Sequence, residues 1–390
     1  MGDFIEDDRI STPAEAAAAS MLREQRMRIA YDYGQGKLLK ADEVFPTVSK
    51  SQYHNVLVTF LTSGKRAWHH HYSFPEFGVN FMYSNIGNDT ILGNMYSIVP
   101  VWILQIWEPK KFGLMIKLGM SFAYFDKKYH PVHNPDNSVI SSSFSNYTCV
   151  GLYARYRIFP KLVSYAGVTA VHSSNGHTYI PNASLNDFPW TIGLQYRTTK
   201  YTKPQKIVKQ FNSIPWIFNL RTGLGVNEPA GSIVPSRGPK QLIYALAPFV
   251  SKQVSHKNDI HIGMYILYFQ GYYDFMKYWD YFKNKEIINS FVGSIFGGHE
   301  FILGKKWGFV SELNLNFYNP FFHKIQIEER PQANFFTYGM KYLGARIGFQ
   351  YYVLKGNEHI YNKNNISIGL FIKSLMMQAD YVEVNIGYGF

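Results

Sequence analysis

The sequence predicts an all-β fold: an antiparallel transmembrane β-barrel of about 14 strands (12–16). Three observations predict it. From residue 76 onward, apolar and polar residues alternate with a period of two. Phe77, Val79, Phe81 and Tyr83 share one face, and Gly78, Asn80, Met82 and Ser84 share the other. Leu313, Leu315 and Phe317 alternate with Glu312, Asn314 and Asn316; Val382, Val384, Ile386, Tyr388 and Phe390 alternate with Glu383, Asn385, Gly387 and Gly389. Large apolar side chains opposite Gly, Asn and Glu suit a strand between lipid and a polar lumen. Second, Phe, Tyr and Trp make up 17% of the 390 residues, too much aromatic surface for a disordered chain. Third, the longest clean apolar stretch, near 97–107, is far below the ~20 residues of a spanning helix, so a crossing must use strands. A soluble sandwich shares the alternation strand by strand; the long series of such strands favours the barrel.

The N-terminal region reads differently. MGDFIEDDRI lacks the basic and apolar parts of a secretory signal, so an exported barrel implies that the signal has been removed. Thr12, Pro13 and Glu15 form a good helix start, with Thr at the N-cap, Pro at N1 and Glu at N3. The strong helix formers of Ala14 to Tyr31 follow, and Gly34 and Gly36 end the run. Residues 1–75 are thus expected to be a periplasmic arm with a helix near 13–32, and 76–390 the barrel. Fourteen strand segments are read, near 76–85, 90–107, 112–125, 142–158, 162–174, 190–199, 214–226, 239–255, 259–272, 288–304, 307–319, 339–354, 364–375 and 380–390. Short connectors (108–111, 159–161, 256–258, 305–306) largely alternate with long ones (126–141, 175–189, 227–238, 273–287, 320–338). That matches periplasmic turns and extracellular loops, and it puts both termini in the periplasm. Connector 200–213 breaks the pattern by being long; 86–89 and 376–379 break it by being short. The chain also ends on an aromatic residue, Phe390, as bacterial outer-membrane barrels usually do.

The charge excludes little by itself. Lys and Arg exceed Asp and Glu to give +12, but the lysines sit in connectors such as Lys110-Lys111, Lys127-Lys128 and Lys305-Lys306. No nucleic-acid-binding motif accompanies them, so nucleic acid is not the expected partner. Connectors of this kind would face lipid phosphates. The single cysteine, Cys149, excludes a disulfide scaffold and reads as a packing residue.

One stretch carries chemistry: Val171-His172-Ser173-Ser174-Asn175-Gly176, followed by Pro181-Asn182 and Asn186-Asp187. In a strand, residues i and i+2 share a face, so His172 and Ser174 point the same way. A serine hydroxyl becomes a nucleophile when a base takes its proton, and histidine is the usual base. Asn175 and the Gly176 amide are candidate oxyanion donors. The bland alternative is a polar strand end running into a loop.

HSSNGHTYIPNASLN resembles the lipid A 3-O-deacylase (PagL) family, grouped with acyloxyacyl hydrolases, on His172, Ser174, Asn175, Pro181 and Asn182. SFPEFGVNF, NDTILGN and HNPDNSVISSSFSN are similar to its longer Bacteroidetes-type members, so that the resemblance spans roughly residues 68–200. It implies a lipid A ester hydrolase of the bacterial outer membrane, with Ser as nucleophile, His as base and a downstream Glu orienting the His, all on the lipid-facing side. No cofactor or metal is implied. The position expected for Glu is Asn186. An amide can orient an imidazole but cannot stabilise the imidazolium by charge; Asp187 is the alternative orienting residue, although its side chain should point to the opposite face. The partners implied are lipid A or lipopolysaccharide and outer-membrane lipids. A second reading is a catalytically inactive barrel that serves as a structural subunit of an outer-membrane assembly or export complex, contacting other outer-membrane proteins through the N-terminal arm.

Overall fold

The computed structural model describes residues 27–40, 44–63, 67–199, 211, 215–228, 239–303, 306–329, 335–354, 363–375 and 378–390. Its strands are β1 (Met27–Gly36), β2 (Ser51–Leu61), β3 (Glu76–Asn85), β4 (Asn94–Trp107), β5 (Phe112–Phe125), β6 (Phe144–Phe159), β7 (Leu162–Ser174), β8 (Leu185–Asp187), β9 (Trp190–Arg197), β10 (Ile217–Asn227), β11 (Gln241–Gln253), β12 (Asn258–Phe269), β13 (Phe291–Leu303), β14 (Trp307–Tyr318), β15 (Leu343–Tyr352), β16 (Asn365–Leu375) and β17 (Gln378–Gly389).

These strands close two barrels. In the first, β1 to β6 run as neighbours, β6 pairs with β7, and β9 joins β7 to β1. β8 adds a short ladder to the end of β7. In the second, β10 to β17 form a closed ring in which β17 returns to β10. All these pairings are antiparallel. The expectation of one barrel of about 14 strands is therefore corrected to two eight-stranded barrels. The long connector at 200–213 falls between them: it joins the last strand of one closed ring to the first strand of the next.

The expected arm at 1–75 is also corrected. Met27–Gly36 is a wall strand: Ile29 and Tyr31 face outward while Arg28, Ala30 and Asp32 are buried. Its alternation outweighs the helix formers, because pairing to β2 and β9 supplies every second residue with a lumen to fill. Ser51–Leu61 is the next wall strand. The helix expected near 13–32 fails over 27–32, and the remainder of it lies outside the described residues.

Outside, both barrels are apolar. Leu313 is 73% exposed and Phe317 61%, and Val384 and Ile386 stand out from β17. Inside, buried polar and charged networks lie beside clusters of buried apolar residues, such as Leu57, Met82 and Met115 in the first barrel and Ile243, Leu267 and Phe296 in the second. Among the largest fully buried side chains are Arg221, Arg346 and Lys373. In the first barrel, Asp32 accepts from Asn55 (2.6 Å), Tyr165 (2.9 Å) and Lys117 (3.1 Å). Glu76 pairs with Arg28 and accepts from Gln105 (2.9 Å) and Thr59 (3.1 Å). In the second, Arg346 bridges Glu312 (2.9 Å) and Glu383 (2.7 Å), and Arg221 binds Glu312 (2.9 Å). Buried charges persist only when paired and hydrogen-bonded, and these networks supply that. Eight strands enclose just enough width for side chains to fill. A cavity of about 10 Å³ between Lys117, Tyr153 and Tyr165 has room for roughly one water. This inverted pattern, apolar outside and charged inside, is that of barrels whose strands cross a membrane. Among the described residues no helix is long and apolar enough to cross one.

The barrels stand side by side and point the same way. At one end the Glu228 N–H donates to the His177 carbonyl (2.8 Å); at the other the Tyr72 hydroxyl donates to the Ile302 carbonyl (2.7 Å). The first end carries the connectors 126–143, 175–184 and 270–290, the ends of β1 and β14 and the starts of β2 and β15. The other carries the short turns 108–111, 160–161 and 254–257, together with the start of β1 and the end of β17.

Candidate functional site

The site is built at the loop-rich end of β7. Val163, Thr169, Val171 and Ser173 point into the first barrel. Alternation then places Val168, Ala170, His172 and Ser174 on the outer face. Pro189 has no N–H to give to a ladder and so separates β8 from β9; its carbonyl still accepts from Thr169 (3.0 Å). The strand before this break pairs with β7 and sets Asn186 directly opposite His172.

That register makes the principal contact: His172 Nδ1 lies 2.8 Å from Asn186 Oδ1. An amide oxygen only accepts, so Nδ1 carries the proton and Nε2 is left as the basic nitrogen. This is the tautomer a general base needs. Asn186 is thus the residue hydrogen-bonded to the His172 ring.

Asp187 does not share that role, as a correction to its candidacy. It is fully buried inside the first barrel, where it accepts from Tyr53 (2.9 Å), Ser51 and the Lys37 N–H (2.9 Å). The reason is strand parity, which turns neighbours to opposite faces.

Ser174 is 2% exposed, although it lies on the outer face, because the 175–184 connector folds over it. Its hydroxyl accepts from Asn182 Nδ2 (3.0 Å) and from the Gly176 N–H (3.1 Å). No direct hydrogen bond joins it to His172 among the described residues; the two meet only as neighbours on one face. Contacts of this kind often tighten only when substrate binds.

The oxyanion donors are rearranged. The Asn175 side-chain amide donates to Ser141 Oγ (2.8 Å) and to the Tyr179 carbonyl (2.8 Å), so it holds the loop rather than facing Ser174. The Gly176 N–H does reach the serine. Asn182, part of the sequence motif but not singled out as a donor, supplies the second amide beside the hydroxyl. Its place in the Pro-Asn pair after the serine marked it as part of the motif, but not as a donor to Ser174, which depends on how the loop folds back. Ser173 points inward and donates to the Asn146 carbonyl (2.6 Å).

The second barrel supports the loop. Gly176 has φ +65°, and a Cβ there would overlap Val382 of β17. Lys240 donates to the Thr178 carbonyl, pairs with Glu228 (2.9 Å) and lies 3.5 Å from the Tyr179 ring centre. Burial lowers the His177 imidazole below its ordinary pKa, against the pull of Glu228 and a bond to the Ala379 backbone.

No family model matches this chain, and no curated protein matches it. Among solved structures it is similar to Neisserial surface protein A at 12% identity, over 44% of this chain and 96% of that one, with a TM-score of 0.31. It is also similar to Pseudomonas aeruginosa OccK2 (10%, 93% and 96% covered, TM-score 0.22) and to a BenF-like porin from Pseudomonas fluorescens Pf-5 (10%, 94% and 97%, TM-score 0.23). The two closed rings are defined by the strand pairing of this chain itself.

Proposed function

We propose that this protein is an outer-membrane ester hydrolase that removes an acyl chain from lipid A, as its resemblance to the lipid A 3-O-deacylase (PagL) family implies. The observation that carries the proposal is the His172–Asn186 bond on the outer face of the first barrel. It leaves a basic nitrogen on the same lipid-facing row as a serine. Ser174 Oγ attacks the ester carbonyl as His172 Nε2 takes its proton. The proton passes to the departing alcohol oxygen, and the acyl chain stays on the serine. Water, deprotonated by His172, then attacks the acyl carbon; the acyl–Oγ bond breaks, His172 returns the proton to Ser174 Oγ, and the fatty acid leaves. The Gly176 N–H and the Asn182 amide, now on the hydroxyl, are the donors near enough to hold the oxyanion once Oγ has bonded to carbon.

The loop-rich end faces the cell exterior in this reading, so the site meets the outer leaflet and both termini are periplasmic. The filled interiors support chemistry on the outer surface rather than passage through either lumen. Fatty-acid release from lipid A by detergent-purified protein, compared with Ser174→Ala, tests the proposal. Release by wild type alone supports it, and no release by folded wild type refutes it.

One observation favours the second reading, a structural subunit. Ser174 is bonded to Asn182 and Gly176 rather than to His172, in a loop seated on the second barrel. Under that reading the protein co-purifies with other outer-membrane proteins and leaves lipid A unchanged.

A further inference from the structure

The second barrel holds a cluster that the hydrolase reading does not use. Asp259 and His261 are i and i+2 on β12 and both point into the lumen, at 1% exposure each. Glu300 of β13 is fully buried and stands directly across the ladder from Asp259. Two carboxylates opposite one another on one face repel, and a cation bound between them lowers that repulsion. One ligand atom from each of Asp259, His261 and Glu300 lies within 4.8 Å of the others.

The histidine points to what that cation is. Neither of its ring nitrogens has a hydrogen-bond partner, although both are buried. Nε2 lies 3.3 Å from Glu300 Oε2. With metal–ligand bonds of about 2.0–2.1 Å, the ligand atoms of a tetrahedral site are about 3.3–3.4 Å apart. Nδ1 faces the other way, 3.8 Å from Glu312 Oε1. Glu312 reaches it over Gly298, the partner of both His261 and Glu312 in the ladder, where a Cβ would come within 2.6 Å of Glu312 Cγ. A ligating histidine typically turns its second N–H toward a carboxylate; at 3.8 Å Glu312 stands on that side of the ring without a hydrogen bond to it, while ligating carboxylates are themselves hydrogen-bonded. Glu300 Oε2 accepts from Gln350 (3.0 Å) and Tyr352 (3.0 Å).

We propose that the second barrel binds one divalent transition-metal ion of the zinc class between Asp259, His261 Nε2 and Glu300. The ion cross-links β12 to β13 inside the wall and neutralises the facing carboxylates. It plays no part in the outer-face chemistry, and the site does not depend on the hydrolase reading.

The test uses the full chain, purified in detergent, stripped with chelator and titrated with Zn²⁺ and Co²⁺. One ion per chain by elemental mass spectrometry, with the visible absorption of tetrahedral Co²⁺, is the expected result. His261→Gln abolishes that absorption while keeping the heat-modifiable gel shift of a folded barrel; if that variant does not fold, Asp259→Asn carries the same test. Tyr352→Phe removes a donor to Glu300 and weakens binding about 10-fold. Two results overturn the proposal. One is a folded wild type that takes up neither ion at tenfold excess, as it would if His261 were a protonated imidazolium between Glu300 and Glu312. The other is a bound ion whose spectrum is unmoved by the His261 or Asp259 variant.

Discussion

The two barrels have the same strand number and the same inverted polarity, yet they put their uncommitted chemistry on opposite sides of the wall. The second encloses its cluster: outward positions such as Ile262, Met264, Ile295, Leu313 and Val384 are apolar, and Asp259, His261 and Glu300 are enclosed, while the outward His299, at the turn-bearing end, bonds to Asn258 (2.9 Å). The first brings it outside, where β7 ends in His172 and Ser174 with Asn182 and Asn186 packed against them. A polar group facing lipid is costly, so such a patch persists where it does something or is covered. Within one fold, then, a histidine and a serine on one outward row at the loop-rich end distinguish the first barrel.

The largest effect should come from breaking the outer site. Ser174→Ala and His172→Ala should each lower lipid A hydrolysis by about 10⁴-fold or more, measured as fatty-acid release, with barrel folding intact. The matching change in the second barrel should cost stability and leave the chemistry alone. Arg346→Ala removes the cation paired with Glu383 and leaves Glu312 with Arg221 alone, and should destabilise folding by about 3–5 kcal/mol in urea titrations in lipid vesicles. Val384→Arg, on the lipid face, should cost about 2–4 kcal/mol in the same assay if its position is near mid-bilayer. Asn186→Ala should reduce turnover less than the His172 and Ser174 changes do, since an orienting amide contributes position without charge, whereas Asn186→Glu should raise it. Ser173→Ala removes only an inward hydrogen bond and should keep full activity, at about 1 kcal/mol in stability.

The smallest effect concerns the seam between the barrels. His177 has a folded pKa below its unfolded value, so the folded state prefers the neutral ring. Its contribution is present above the unfolded value, about 6.5, and is lost as pH falls through the lowered folded value. Protection of the 175–179 amides from exchange should weaken on acidification through that window, and His177→Gln should flatten the response.

Much of the wall was legible from residue 76 onward, because each strand has one face in lipid and one in the lumen and so shows a period of two. β1 escaped because Ala-rich helix formers lead into it. Its identity as a strand comes from pairing with β9, about 160 residues away, which no local pattern reports. The division into two barrels depends on the same closure, although the overlong 200–213 connector marked the place. At the site, strand parity correctly set His172 and Ser174 against Ser173 and turned Asp187 inward. The role of Asn182 was not legible, since it depends on how the loop after Gly176 folds back, and Val382 and Lys240 of the second barrel help to hold that loop.

The most direct test of the central claim is mass spectrometry of lipid A from cells that do or do not make the protein, with Ser174→Ala alongside. The expected result is a lipid A species lighter by one ester-linked acyl chain in cells making wild type, and absent with Ser174→Ala. Identical lipid A in all three, with wild type folded in the outer membrane, would contradict it.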